Sequence, residues 1–123
     1  MVIKHHTLVS EIIVVTSINT KTIDKLSKNE LKNLYVGKDR RIKITVLNSG
    51  ETHKSFVVKF IKKTTTQFKR HWKKLLFTGK ASLPYECKGE PQMVEYLFKN
   101  PESVGYINDK FFDSKRLKKI TIH

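Results

Sequence analysis

Asn48, Ser49, Gly50, Glu51 and Thr52 stand where an alternating apolar segment ends and a helical pattern begins. Residues of these types at a strand-to-helix junction could bind an oxyanion. Orphan backbone amides and side-chain hydroxyls converge there, and the helix dipole favours negative charge. Ser49 and Thr52 would donate hydroxyls, and Gly50 would let the backbone approach closely. Glu51 works against this, because its carboxylate repels an anion. The same five residues also suit a plain turn and helix cap, and by sequence the two readings stand level.

A second set of polar residues, Thr16, Ser17 and Asn19, follows an apolar run. In open α/β sheets ligands gather at the carboxyl ends of strands, so Thr16 and Ser17 are further candidates for the same anion. An ordinary polar loop explains them equally well. Arg40 and Arg41 are the guanidinium donors nearest in sequence to these segments, and arginine binds oxyanions bidentately. Arg41 alternates with Ile42 and could instead face solvent. His53 and His71 have no partners at metal-ligand spacing, and Cys87 reads as a loop thiol between Glu86 and Lys88 with nothing to activate it. No Ser-His-Asp or paired-carboxylate pattern emerges. The residues argue for binding without catalysis, metal or cofactor.

The elements that must carry these residues are legible in outline. Residues 11–16, EIIVVT, form a β-branched run suited to a buried strand. Ser27 and Glu30 make a capping box, with Leu26 and Leu31 at the positions of a hydrophobic staple. Leu31, Leu34 and Tyr35 form the buried face of that helix, and Gly37 ends it. Residues 41–47 alternate, with Ile42, Ile44 and Val46 on one face and Arg41, Lys43 and Thr45 on a wet one. A second helix is predicted over 52–63, with Phe56, Phe60 and Ile61 inward. Thr64 to Thr66 offer caps for a third, in which Phe68, Trp72, Leu75 and Leu76 follow helical spacing. Residues 81–89 read as a loop or short extended piece. Pro91 opens a fourth helix that buries Met93, Val94, Leu97 and Phe98. Residues 103–107 and 118–122 read as strands. The fold class is therefore α/β, one domain over residues 11–123, with a mixed, mostly parallel sheet and about four helices. Residues 1–10, including His5 and His6, read as a disordered N-terminal extension.

The chain has 123 residues, enough for one domain that buries roughly two-thirds of its unfolded surface. Its one cysteine excludes an internal disulfide, and no apolar run approaches the roughly 18–20 residues of a membrane span. No secretory signal is visible at the start of the sequence, so the chain reads either as cytoplasmic or as a mature form whose signal is not in this sequence. The net charge is +14, and no Asp or Glu occurs between Thr52 and Tyr85. Such a basic stretch attracts polyanions: nucleic acid, an anionic membrane surface or an acidic protein. Lysine outnumbers arginine there, and Phe68 and Trp72 fall on the apolar face. That argues against base readout and leaves only salt-sensitive, nonspecific binding of nucleic acid. A solvated lysine-rich surface explains the charge as simply.

Three segments carry a family resemblance. LSKNELKNLYVGK (26–38) resembles the L-S-x-x-E-L-x-x-I-F-x-G-K segment of phosphate-type solute-binding proteins of ABC importers. FKRHWKKLLFTGKASLP (68–84) resembles their W-x-x-x-x-F-T-G-K-x-x-x-P segment, and MVEYLFKNPESVGYI (93–107) their V-x-x-x-x-x-N-P-G-A-I-G-Y-V segment. The resemblance implies one lobe of the periplasmic-binding-protein-like (type 2) fold, where full members clamp ligand between two lobes. It implies binding of phosphate or another oxyanion, an exported location with the signal peptide missing from this sequence, and an ABC importer as partner. It also aligns Ser49, Gly50 and Thr52 with the family's Ser-Gly-Thr phosphate turn. Glu51 replaces a hydroxyl residue of that turn, and the arginine common before it is absent, with Thr45 and Val46 in that stretch. The alternative is a lobe that holds no ligand and uses its basic surface against an acidic partner.

Overall fold

The computed structural model describes residues 11–80 and 82–123. The expected N-terminal extension, with His5 and His6, lies outside the described residues. The chain runs β1 (Ile12–Ser17), β2 (Lys25–Leu26), α1 (Lys28–Tyr35), β3 (Lys43–Leu47), α2 (Glu51–Phe56), a π-turn (Val57–Ile61), α3 (Thr65–Phe77), β4 (Tyr85–Cys87), α4 (Glu90–Lys99), β5 (Ser103–Asn108), a short 3₁₀ turn, β6 (Leu117–Lys119) and β7 (Thr121–Ile122).

Five strands form one sheet in the order β4-β3-β5-β1-β6. β3 pairs in parallel with both β4 and β5. β1 is antiparallel to β5 and β6, so four strands point one way and β1 the other. The remaining two, β2 and β7, pair in parallel beside this sheet.

Neighbouring residues of β5 show how the layers sit. A Cβ on Gly105 would lie 2.7 Å from Leu97 Cδ1 and Met93 Sδ, so only glycine lets α4 approach this face. Tyr106, next along the strand, points to the opposite face. It stacks on Phe56 of α2 with ring centroids 3.8 Å apart, and meets Tyr35 of α1 edge-on. Helices therefore cover both faces of the sheet, and the core lies between them.

The local signals act as their chemistry dictates. Ser27 and Glu30 close the capping box, with Glu30 N–H donating to Ser27 Oγ at 2.9 Å and Ser27 N–H donating to Glu30 Oε1 at 2.8 Å. Thr64 and Gln67 form a second box at the start of α3.

Four local expectations need correction. Thr45, placed on a wet face by alternation, is buried, because β3 is an inner strand covered on both sides. The helix expected over 52–63 changes to a π-turn over Val57–Ile61, in which Lys62 N–H bonds to Val57 C=O, and Lys62 ends it in the left-handed conformation. Cys87 lies in edge strand β4 rather than a loop, and its burial pushes the thiol up to about 11. The strand expected over 118–122 is two, since the chain passes from β1 to β2 at buried Ile120.

Candidate functional site

The carboxyl end of β3 is built around Tyr106. Leu47 N–H donates to Tyr106 Oη at 2.9 Å, and Tyr106 Oη lies 2.6 Å from His53 Nδ1. Burial lowers the His53 pKa, so the ring is neutral near pH 7. Tyr106 Oη thus bridges the Leu47 amide and the His53 ring. This network joins the end of β3 to the first turn of α2.

The predicted turn lies directly there. Gly50 takes φ 98°, a conformation other residues rarely adopt, and directs the chain from β3 into α2. The first intrahelical bond of α2 runs from Lys54 N–H to Gly50 C=O at 3.0 Å. The amides of Glu51, Thr52 and His53 therefore precede the ladder, and no side chain among the described residues caps them. Ser49 is exposed, and its Oγ contacts Asn48 Oδ1 at 3.1 Å. Thr52 is buried, and its Oγ1 donates to Glu90 Oε1 at 3.2 Å. Glu90 Oε2 in turn accepts from Asn108 N–H at 2.6 Å. Thr52 thus ties the turn to α4 and the end of β5, while Ser49 faces outward.

The other candidates lie at the opposite edge of the sheet. β1 runs against its neighbours, so its carboxyl end meets the amino ends of β3 and β5: Thr16 pairs with Val104, and Lys43 with Ser103. Thr16 Oγ1 is buried, 2.6 Å from Ser103 C=O and 2.7 Å from Thr20 Oγ1. Ser17 Oγ donates to Phe98 C=O at 3.2 Å and accepts from Asn19 N–H. These hydroxyls fasten β1 to the α4–β5 connection. Arg41 precedes β3 at this same far edge, and its Nη2 is 2.7 Å from Asp39 Oδ2. That pairing holds the Asp39 carboxyl down to about 2. A strand of five residues, about 16 Å, separates Thr16, Ser17 and Arg41 from Ser49.

A groove of about 810 Å³ opens beside the turn. It runs between the end of β3, α3 and the segment before β4. Phe68 and Trp72 lie in it, with Lys54, Lys69 and Lys73 at its margin. Sequence reading assigned Phe68 and Trp72 to the core, where both are indeed buried, but did not find the groove they help to line. It also missed His53 as a site residue, because Tyr106 is 53 positions away and nothing local announces the pair.

The whole architecture matches solved structures. An ABC-type phosphate transport receptor from Vibrio cholerae aligns with a TM-score of 0.59 and 13% identity over 92% of this chain and 46% of its own. The chain has the fold of phosphate-type substrate-binding proteins. A Clostridium perfringens protein described as a phosphate ABC-transporter substrate-binding protein, solved with bound phosphate, gives 0.66 and 16% over 92% of this chain and 45% of its own. PstS from Borrelia burgdorferi gives 0.58 and 14% over 93% and 47%. The chain thus spans about half the length of the solved structures it matches. These neighbours are binding proteins. No protein-family model matches the sequence, and no curated protein does so significantly. Among the described residues, no helix is long and apolar enough to cross a membrane.

Proposed function

We propose that this chain is one lobe of an exported solute-binding protein and holds phosphate or a similar oxyanion weakly and without catalysis. The observation that carries this is the position of the turn. In a fold shared with phosphate-binding proteins, Ser49, Gly50 and three uncapped amides lie at the carboxyl end of β3, where α/β sheets take their ligands. Ser49 Oγ–H and the amides of Glu51, Thr52 and His53 donate to the anion, while Lys54 adds positive charge nearby. Thr52 holds the turn through Glu90. Thr16, Ser17 and Arg41, at the far edge, serve the fold.

Binding is weak for two physical reasons. The turn is exposed on one side, so water competes for the anion, and the carboxylate of Glu51 opposes it. On this reading an ABC importer is the partner, as the names of the neighbours suggest.

A second reading rests on a separate observation. None of the basic residues between Thr52 and Tyr85 joins an ion pair among the described residues. An interaction module that meets an acidic protein with that surface needs no ligand at Ser49.

Calorimetric titration with phosphate at low and moderate salt, against sulfate and chloride, separates the two. Saturable one-site binding that survives moderate salt and weakens in Ser49→Ala supports the oxyanion site. Heat that is equal for all anions and erased by salt overturns it in favour of the interaction module.

A further inference from the structure

Phe77, the last residue of α3, differs from every other phenylalanine in the chain. Phe56 and Phe68 are buried in the core. A lysine or arginine lies over the ring of each of Phe60, Phe98, Phe111 and Phe112. Phe77 is 92% exposed, and no cation lies over its ring among the described residues. Its whole aromatic surface stands in water, where any apolar contact is favoured.

The ring sits at the centre of a charged face. An α-helix turns about 100° per residue, so Phe77 lies within about 60° of Arg70, Lys73 and Lys74 and opposite buried Phe68. Gly79 takes φ 71° and turns the chain back, so that Lys80 N–H donates to Leu75 C=O at 2.9 Å beside the same last turn. All four cations are exposed, and none joins an ion pair among the described residues. Leu76, 47% exposed next to Phe77, and Leu83, 56% exposed across the groove, add apolar area at the flank. The helix dipole favours cations at a C-terminal end, which accounts for Lys73 and Lys74. It does not account for a bare phenylalanine among them.

An acidic protein and an anionic lipid surface both attract such a patch, and its composition favours the lipid. The cores of protein interfaces are enriched in arginine, tyrosine and tryptophan and depleted in lysine. Between Thr52 and Tyr85 the basic residues are eight lysines and one arginine. Lysine is a point charge on a flexible apolar stem, so it imposes no fixed geometry on its partner and lies along apolar surface with its ammonium in water. A headgroup layer supplies diffuse negative charge, and hydrocarbon beneath it accepts a protruding ring.

We propose that the C-terminal end of α3 docks on an anionic lipid surface. Phe77 enters the boundary between headgroups and acyl chains, and Leu76 and Leu83 rest against it. Arg70, Lys73, Lys74 and Lys80 face the anionic headgroups. This docking is independent of the oxyanion reading of Ser49.

Cosedimentation with vesicles tests it, using phosphatidylcholine alone and phosphatidylcholine mixed in equal parts with phosphatidylglycerol, each at low and moderate salt. The expected result is sedimentation with the mixed vesicles only, weakening as salt rises. Phe77→Ser, at an almost fully exposed position, should lower the partition coefficient about tenfold and leave the melting temperature unchanged. Lys73→Glu combined with Lys74→Glu should lower it by more than about tenfold. Failure to sediment with the mixed vesicles at low salt would overturn the proposal. So would equal sedimentation of Phe77→Ser and the native chain, since the surface would then recognise charge alone and favour an acidic protein.

Discussion

Ser49 and His53 differ in what surrounds them, and the tests differ accordingly. Ser49 is exposed and contributes one hydroxyl, so Ser49→Ala should weaken phosphate by about three- to tenfold, the worth of one hydrogen bond, with no change in melting temperature. His53 is buried and neutral, so its protonation couples to folding. Its native pKa is lowered by burial, which means the unfolded chain binds the proton first as pH drops. Stability should therefore fall from near pH 6.5 downward, until the native ring is also protonated. Tyr106 faces Nδ1, and Lys54, Lys69 and Glu86 share the groove with the ring. Melts at pH 7.5 and 5.5 measure the fall, and His53→Gln should reduce it. Asp39 acts in a separate window: its carboxyl is depressed to about 2, so its contribution is lost only as pH falls below the ordinary carboxylate range.

Helices α1 and α4 depend on different parts of the sequence. In α1 the stabilising signal is local. Ser27→Ala removes the Oγ acceptor of Glu30 N–H and should cost about 1 kcal/mol in denaturant unfolding. In α4 the decisive residue lies outside the helix, at Gly105 of β5. Gly105→Ala would drive a Cβ into Leu97 and Met93 and should cost about 1–3 kcal/mol, or shift α4 on the sheet. The capping box at Ser27, the Thr64 cap and the apolar stripes were legible because each is written in neighbouring residues. The π-turn at Val57 was not, and of residues 81–89 only a loop or short extended piece could be read, not the pairing of β4. The first depends on how Val57 and Ile61 are buried in the core, the second on β3 offering an open edge.

Charge and topology act across the whole chain. The +14 surface raises the local concentration of any anion, an effect that salt screens over about 8 Å at 0.15 M. Reversing Lys69 and Lys73 to Glu, both exposed, should lower phosphate affinity at low salt and flatten its salt dependence without changing the melting temperature. Calorimetry at two salt concentrations checks this. Unchanged affinity would mean that only the donors of the turn matter.

The sequence by itself determined the α/β class, most helix positions, the charge and the place of the turn after β3. Those properties follow from periodicity, capping chemistry and composition, all of which act over a few residues. Tertiary structure alone decided which candidates share a site. Because β1 enters the sheet antiparallel, Thr16 and Ser17 face the far edge with Arg41, although each follows or flanks a strand just as Ser49 does. Strand direction depends on pairing between distant segments, as does the bond between His53 and Tyr106. Neither leaves a mark in local sequence, so the groove beside Ser49 came into view only with the fold.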